Sequence, residues 1–129
     1  MYSEHDRLQK IKDLLHDACY GGSNYWAKFT LSTAYRNSIT NDDRCNKDFY
    51  TGKSFRAAWA INHPKYCMLV KELEENKTYM IDLDKMLSGL EIMCKKYPRH
   101  KEDFLNNNED AATADAFIQC AIFGEIIYG

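Results

Sequence analysis

The chain has 129 residues, of which 45% are hydrophobic and 28% charged, and its formal net charge is -2. This length fits one domain, and so small a charge offers no basic field for phosphates, so general nucleic-acid binding is not expected. No apolar run approaches the ~20 residues of a transmembrane helix, so no membrane partner is expected either.

The first predicted element is a helix over residues 3–20. Ser3 and Asp6 form an S-x-x-D start, which is related to the capping box. Gly21 or Gly22 is expected to end the helix in the left-handed conformation. Apolar residues share one face of this helix: Leu8, Ile11, Leu15, Ala18 and Cys19, with Leu14 at its edge.

The middle of the chain is the least regular part. Residues 21–26 read Gly-Gly-Ser-Asn-Tyr-Trp, and the segment that follows them is either a strand or an irregular packed segment. Residues 37–54 are rich in turn-forming residues, which predicts a long loop that is either mobile or functional. Residues 55–61 form a short helix or strand in this interpretation.

Two strands are predicted over residues 66–73 and 77–83, joined by a turn into a hairpin. A helix follows over residues 85–97, with Asp84 as its cap and Pro98 as its end. Its apolar stripe has helical spacing and comprises Met86, Leu87, Leu90, Met93, Cys94 and Tyr97. A short helix over 99–105 and a turn over 106–108 come next.

The most apolar stretch is residues 110–129, and we expect it to form one buried helix against which the rest packs. Ile118, Ala121 and Ile122 should then be almost fully buried. Together these elements predict an α+β fold in a single domain, 1–129, with about three main helices and a small antiparallel sheet. The apolar positions of the last helix are Phe117, Ile118, Ala121, Ile122, Ile126 and Ile127.

The chain contains five cysteines, and no two of them form a C-x-x-C pair. The count is odd, and Cys19, Cys94 and Cys120 lie on apolar helical faces, which is typical of free thiols in a reducing compartment. The N-terminus is charged from Glu4 onward, so no signal peptide is expected. We therefore expect a cytoplasmic protein.

Three segments together resemble a group of small proteins of unknown function that phages, prophages and plasmids encode. They are the Gly-Gly-Ser-Asn-Tyr-Trp motif, residues 97–104, and residues 115–129 with the ending Phe-Gly-Glu-Ile-Ile-Tyr-Gly. The resemblance covers most of the chain except residues 37–54. It implies an accessory gene of a mobile element that acts in a bacterial cytoplasm, where such genes often counter host defence. It assigns no chemistry to individual residues.

The predicted site joins the turn over residues 21–26 to the face of the last helix that carries Asp115 and Gln119. These two residues are four apart, so they share a face, and burying them without partners would cost about 1–3 kcal/mol each. They either recognise a ligand or bind the amides of the glycine turn as a structural tie. Glu125, near the C-terminal end of the same predicted helix, opposes the helix dipole and needs a partner. The ligand-binding residues in this interpretation are Gly21, Gly22, Ser23, Asn24, Tyr25, Trp26, Asp115, Gln119 and Glu125.

Other motifs carry little signal. The glycine pair ends a helix and matches neither phosphate-binding loop, and residues 51–54 end like a Walker motif but lack its first glycine. The four histidines are scattered without metal-ligand spacing, so neither a metal nor a cofactor is expected. No nucleophile motif is present.

These observations favour a non-enzymatic binding protein of a phage or mobile element, a counter-defence or host-modulating factor that sequesters a small nucleotide-like ligand. The alternative is an inhibitor that docks on a host protein through the aromatic 37–54 loop, since Tyr and Arg are enriched at interfaces. A small hydrolase using Asp115, Glu125 or His100 is a third class. The oligomeric state stays open, with a homo-oligomer among the alternatives. The interface residues in the docking alternative are Arg44, Phe49 and Tyr50.

Overall fold

The computed structural model describes residues 4–32, 67–108 and 110–129. These residues form one small α+β domain with four α-helices and a three-stranded antiparallel sheet, which confirms the predicted fold class. Several predictions lie outside the described residues: the 37–54 loop with Arg44, Phe49 and Tyr50, the element predicted at 55–61, and Cys45. The elements are α1 (Glu4–Asp17), a π-helical turn (Ala18–Gly22), β1 (Ala27–Leu31), β2 (Met68–Glu72), β3 (Lys77–Ile81), α2 (Leu83–Lys96), α3 (Pro98–Leu105) and α4 (Ala111–Phe123).

Helix α1 and the π-helical turn correspond to the helix predicted over 3–20. Ile11, Leu15 and Ala18 of the apolar stripe are fully buried, and so is Leu14, which was predicted at its edge. Leu8 and Cys19 are only partly buried. The prediction that a glycine ends this helix in the left-handed conformation is wrong, because Gly21 has an extended φ of 172° and Gly22 is not left-handed either. Gly22 is required for another reason: a Cβ there would lie 2.5 Å from the carbonyl oxygen of Ala111.

The sheet has the order β1-β2-β3, and both pairs are antiparallel. Strand β2 lies in the centre, with Val70 opposite Phe29 on β1 and Tyr79 on β3. Its alternate residues Met68, Val70 and Glu72 are buried, as the two-residue period of a strand requires. The predicted hairpin is therefore confirmed, and residues 21–31 prove to be an irregular turn followed by a strand.

Helix α2 begins earlier than predicted, and its cap is Asp82 instead of Asp84. Asp82 has an extended backbone and its Oδ1 accepts a hydrogen bond from Lys85 N at 3.0 Å, whereas Asp84 lies in the first turn. Pro98 follows α2 and is the first residue of α3. A proline is tolerated there because a backbone N–H at the first position of a helix would have no partner within the helix.

Helix α4 is central, but it is shorter than predicted. It packs against α1, α2, α3, β3 and the π-helical turn, and every residue from Thr113 to Cys120 is buried. It ends at Phe123, because Gly124 takes the left-handed conformation with a φ of 74°. The expected near-complete burial holds for Ile118 but not for Ala121 and Ile122, which are partly exposed.

Residues 125–129 form a tail without regular secondary structure that folds back over the domain. Ile127 is half-exposed, and Glu125 is exposed on this tail, beyond the helix on which it was predicted. Within the part of the chain that the structure describes, no helix combines the length and apolarity that crossing a membrane requires.

Candidate functional site

The carboxylate of Asp115 is the centre of the candidate site. Asp110 caps α4 by accepting a hydrogen bond from Thr113 N at 3.0 Å, and Asp115 lies one turn further along the helix, 8% exposed. Two donors bind each of its oxygens, which fills the roughly four lone-pair positions of a carboxylate. Oδ1 accepts from Ser23 Oγ at 2.8 Å and Trp26 Nε1 at 2.7 Å, and Oδ2 accepts from Tyr25 Oη at 2.6 Å and Gln119 Nε2 at 3.0 Å.

The structure thus brings the turn over residues 21–26 against the Asp115 and Gln119 face, as the sequence predicted. Asp115 does bind the turn, as the structural-tie alternative has it, but the donors that the structure describes are side chains and not the backbone amides of the turn. The amides of Ser23, Trp26 and Ala27 donate to backbone carbonyls, to Ala18 O and twice to Ser23 O. Side-chain donors could not be assigned from the sequence because their directions depend on the turn geometry.

Gln119 is fully buried and connects Asp115 to the tail. Its Oε1 accepts hydrogen bonds from Ile127 N at 2.7 Å and Tyr128 N at 2.8 Å, and its Nε2 donates to Tyr128 O at 3.2 Å as well as to Asp115. The side-chain amide therefore uses both of its donors and both lone pairs of its oxygen.

Tyr128 holds the other side of the tail. Its ring stacks on Trp26 with centroids 5.1 Å apart and planes at 11°, and its hydroxyl donates to Glu72, which also accepts from Tyr79 Oη at 3.1 Å. The hydrogen bond to Glu72, together with burial and nearby carboxylates, raises the pKa of Tyr128 far above its ordinary value. Trp26 is 3% exposed and its ring is packed, so it is a core residue and not a free platform for a ligand.

A cavity of about 430 Å³ opens beside this network. The ring of Tyr25, which is 55% exposed, stands at its edge. Burial and the hydrogen bond to Asp115 raise the pKa of Tyr25 to about 12, so its phenol is neutral at ordinary pH. The walls are Gly21, Gly22, Tyr25, His100, Ala111, Ala112, Asp115, Ala116, Gln119, Ile126, Tyr128 and Gly129.

Not all the predicted residues reach this cavity. Ser23 and Trp26 lie behind the wall, where they bind Asp115. Asn24 and Glu125 are exposed and do not belong to the described lining. Gly21, Gly22, Tyr25, Asp115 and Gln119 do line it.

The sequence did not predict the wall from α3 and the start of α4. His100 lies on α3 with its Nδ1 3.2 Å from Thr113 Oγ1, and Ala111 and Ala112 leave space because their side chains are small. Tyr128 was missed because the tail was predicted as helix. His100 was singled out only as a candidate residue of the hydrolase alternative, and its stretch belongs to the resemblance, but neither placed it in the wall of this cavity.

Among the described residues, no three His, Cys, Asp or Glu side chains come together in a way that could hold a metal ion. The four described cysteines, Cys19, Cys67, Cys94 and Cys120, are free thiols. Comparisons of the chain with protein-family models, with curated proteins and with solved structures find no match.

Proposed function

We propose that this protein binds a small nucleotide-like ligand in the cavity beside Tyr25 and Asp115 and sequesters it without converting it. We further propose that it does so as a counter-defence or host-modulating factor of a phage or mobile element, the context that the resemblance of its three segments implies. The observation that carries the binding proposal is the cavity itself, two of whose wall residues, Tyr25 and Tyr128, are held by hydrogen bonds to Asp115 and Gln119.

The size and rigidity of the cavity support this proposal. Its volume of about 430 Å³ lies within the range of roughly 300–1,000 Å³ that small-molecule sites occupy. Asp115 fixes the position of Tyr25, and Gln119 fixes the tail residue Tyr128. Walls that need little rearrangement lower the entropic cost of binding.

The exposed ring of Tyr25 supports a flat, aromatic ligand. Stacking of a base on an aromatic side chain contributes about 1–3 kcal/mol and requires no particular base. Trp26 cannot take this part because Tyr128 and Phe123 pack on its ring. Tyr25 is therefore the stacking residue in our proposal.

The bonding of Asp115 favours binding over hydrolysis. A general base or nucleophile needs a lone pair directed at the reacting group, and both oxygens of Asp115 already accept two hydrogen bonds. Glu125, the second carboxylate considered for a hydrolase, is exposed and outside the described lining of the cavity. These observations support a non-enzymatic role.

Isothermal titration calorimetry with nucleosides, mononucleotides and dinucleotides tests the proposal. We expect one-to-one binding of at least one ligand, and chromatography should recover that ligand unchanged. Ala112→Phe places a large ring at an exposed position of the cavity wall and should reduce the affinity at least tenfold. Ser88→Phe, an exposed helical position on α2 outside the described lining, is the matched control and should bind normally.

Two results would contradict the proposal. Turnover of the ligand would show an enzyme. Absence of binding, combined with capture of a host protein that Arg44→Ala or Tyr50→Ala abolishes, would favour the docking alternative through the 37–54 loop.

A further inference from the structure

The polar side chains that line the cavity differ in how much hydrogen-bonding capacity they have left. Each oxygen of Asp115 accepts two hydrogen bonds, and Gln119 uses its whole amide on Asp115 and the tail. The hydroxyl of Tyr25 is bonded to both of these residues, and that of Tyr128 donates to Glu72. A ligand could bind Asp115 or Gln119 only by displacing a protein partner, which strands a buried polar group.

His100 is the remaining polar side chain of the described lining. It lies on α3 and is partly exposed, and its Nδ1 is 3.2 Å from Oγ1 of the buried Thr113. Its Nε2 has no hydrogen bond to any residue that the structure describes. Since Thr113 lies behind the wall and not in the described lining, the ring turns its Nδ1 edge to α4, which leaves the edge with Nε2 for the cavity.

The partner of Nδ1 determines which ring nitrogen of His100 carries the proton. Hydrogen bonds from the backbone and the hydroxyl of Thr113 lower the pKa of the Asp110 carboxyl, so that group stays charged. A charged carboxylate only accepts, so the single proton of the Thr113 hydroxyl is directed at Asp110. The hydroxyl oxygen must then accept from His100, which places the proton of the neutral ring on Nδ1 and a lone pair on Nε2.

We infer that His100 Nε2 accepts a hydrogen bond from the ligand, so the group bound there is a donor: an N–H of the base or an O–H of the sugar. This inference rests on the proposed function and names the chemistry by which the cavity selects its ligand. His100 is then the residue that determines specificity, and Thr113 and Asp110 are positioning residues because they act through its ring. The described lining contains no Lys or Arg, so a phosphate gains no ion pair there while the ring is neutral.

Calorimetry with analogues that each lack a donor tests the inference. The parent is the nucleoside or mononucleotide that binds best, and its analogues carry the same number of phosphates. Base donors are removed in purine riboside for adenosine, in inosine and 2-aminopurine riboside for guanosine, and in pyrimidin-2-one riboside for cytidine and uridine. Sugar donors are removed in the deoxynucleosides. We expect one analogue to bind at least tenfold more weakly than the parent, and its identity shows whether base or sugar supplies the donor.

Three histidine variants assign the acceptor. His100→Asn keeps an amide near Thr113 but has no atom at the position of Nε2, so it should bind the parent and that analogue equally and weakly. His100→Gln places an amide oxygen near that position and should restore part of the preference for the parent. His16→Asn, at an exposed histidine of α1 outside the described lining, should bind like the unmodified protein. All are measured at a temperature where their melting curves show a folded protein.

Nitrogen NMR of the His100 ring tests the positioning residues without a ligand. The neutral ring of the unmodified protein should carry its proton on Nδ1. Thr113→Val keeps the shape of the side chain but removes the oxygen that accepts from Nδ1. It should therefore populate the tautomer with the proton on Nε2 and weaken binding of the parent, and a merely structural role of Thr113 would not change the tautomer.

The outcomes separate the inference from the proposed function. If the parent binds but His100→Asn binds it as tightly as the unmodified protein, or if the neutral ring carries its proton on Nε2, the inference alone fails. It also fails if a phosphate tightens binding tenfold and does so more strongly at lower pH, because the ring would then act as a cation. If no nucleoside or nucleotide binds, the proposed function fails and the inference fails with it.

Discussion

The indole Nε1 of Trp26 donates a hydrogen bond to Asp115 Oδ1 at 2.7 Å, although the two residues are 89 positions apart in the chain. Both side chains are almost fully buried. The bond joins the turn before β1 to the first half of the central helix, and it therefore fixes the sheet against α4. The candidate site is thus part of the framework of the fold as well as a wall of the cavity.

The first prediction is that Asp115→Ala destabilises the protein. The change leaves buried donors on Ser23, Trp26 and Gln119 without their acceptor, and each such group costs about 1–3 kcal/mol. We expect a loss of at least roughly 2 kcal/mol in the free energy of unfolding, measured with urea. Asp84→Ala removes an exposed carboxylate from the first turn of α2 and should cost under about 1 kcal/mol. Equal losses in the two variants would show that the Asp115 network contributes little.

The second prediction concerns the packing of α2. Leu90 is 7% exposed within the core, so Leu90→Ala should leave a cavity and cost about 2–5 kcal/mol. Leu105 at the end of α3 is 46% exposed, and Leu105→Ala should cost much less. Thermal and urea unfolding of both variants provide the comparison, and similar losses would contradict the described burial of Leu90.

The predictable parts of this fold are those with local signals. The alternation at 77–83 identified β3, where Ile81 is buried and Tyr79 partly buried on one face. The apolar spacing at 86–97 identified α2, where Met86, Leu90 and Met93 are buried. The end of α4 was missed because Ile126 and Ile127 continue the apolar spacing past Gly124. The left-handed glycine ends the helix regardless of the residues that follow it.

The candidate site was predictable only in outline. The spacing of Asp115 and Gln119 on an apolar helix indicated that both need hydrogen-bond partners. The polar and aromatic turn over residues 21–26 was a segment that could supply them. Three features required the tertiary structure: side-chain donors instead of amides, the return of Tyr128, and the wall that includes His100. None of them leaves a periodic or compositional trace in the sequence.

The third prediction concerns the contact between α2 and α4. A Cβ at Gly89 would lie 2.6 Å from the Cα of Ala121, which is backbone and cannot move aside. Gly89→Ala should therefore destabilise the protein, although alanine is favoured over glycine in a helix by about 1 kcal/mol. Ser88→Ala, at the adjacent exposed position, should be neutral or slightly stabilising. If Gly89→Ala raises the melting temperature, the two helices are not in such close contact.

The fourth prediction concerns alkaline pH. Burial raises the pKa of the Cys19 thiol to about 12 and that of the Cys120 thiol to about 11, from an ordinary value of 9.0. Since the folded pKa lies above the unfolded one, this contribution to stability is complete below pH 9 and is lost as the pH rises toward 11 and 12. Urea unfolding between pH 8 and 11 should show this fall, and Cys19→Ala should make it shallower.

At pH 8 native Cys120 should react with iodoacetamide far more slowly than after denaturation, and fast alkylation would contradict its burial.

The fifth prediction compares two Gln–Asp pairs with the same spacing in different surroundings. Gln119 Nε2 donates to Asp115 inside the domain at 3.0 Å, and Gln9 Nε2 donates to Asp13 on the exposed face of α1 at 3.1 Å. Gln119→Glu keeps an acceptor for the amides of Ile127 and Tyr128 but places a second carboxylate beside that of Asp115. At so short a distance and away from water the two charges repel strongly, so we expect a large loss of stability and one raised carboxyl pKa.

Gln9→Glu creates the same pair of charges in water, where screening should limit the cost to a few tenths of a kcal/mol, about that of a like-charge pair on a helix surface. The stability of Gln119→Glu should recover as the pH is lowered, because protonating one carboxyl restores a donor between the two side chains. Hydrogen exchange at the amides of Ile127 and Tyr128 then reports on the tail separately from global unfolding. If these amides exchange faster in Gln119→Glu than in the unmodified protein at neutral pH, and the difference shrinks on acidification, the Asp115–Gln119 bond holds the tail over the cavity. Exchange that is unchanged at both pH values would show that Tyr128 alone, through its stacking on Trp26 and its bond to Glu72, fixes that wall.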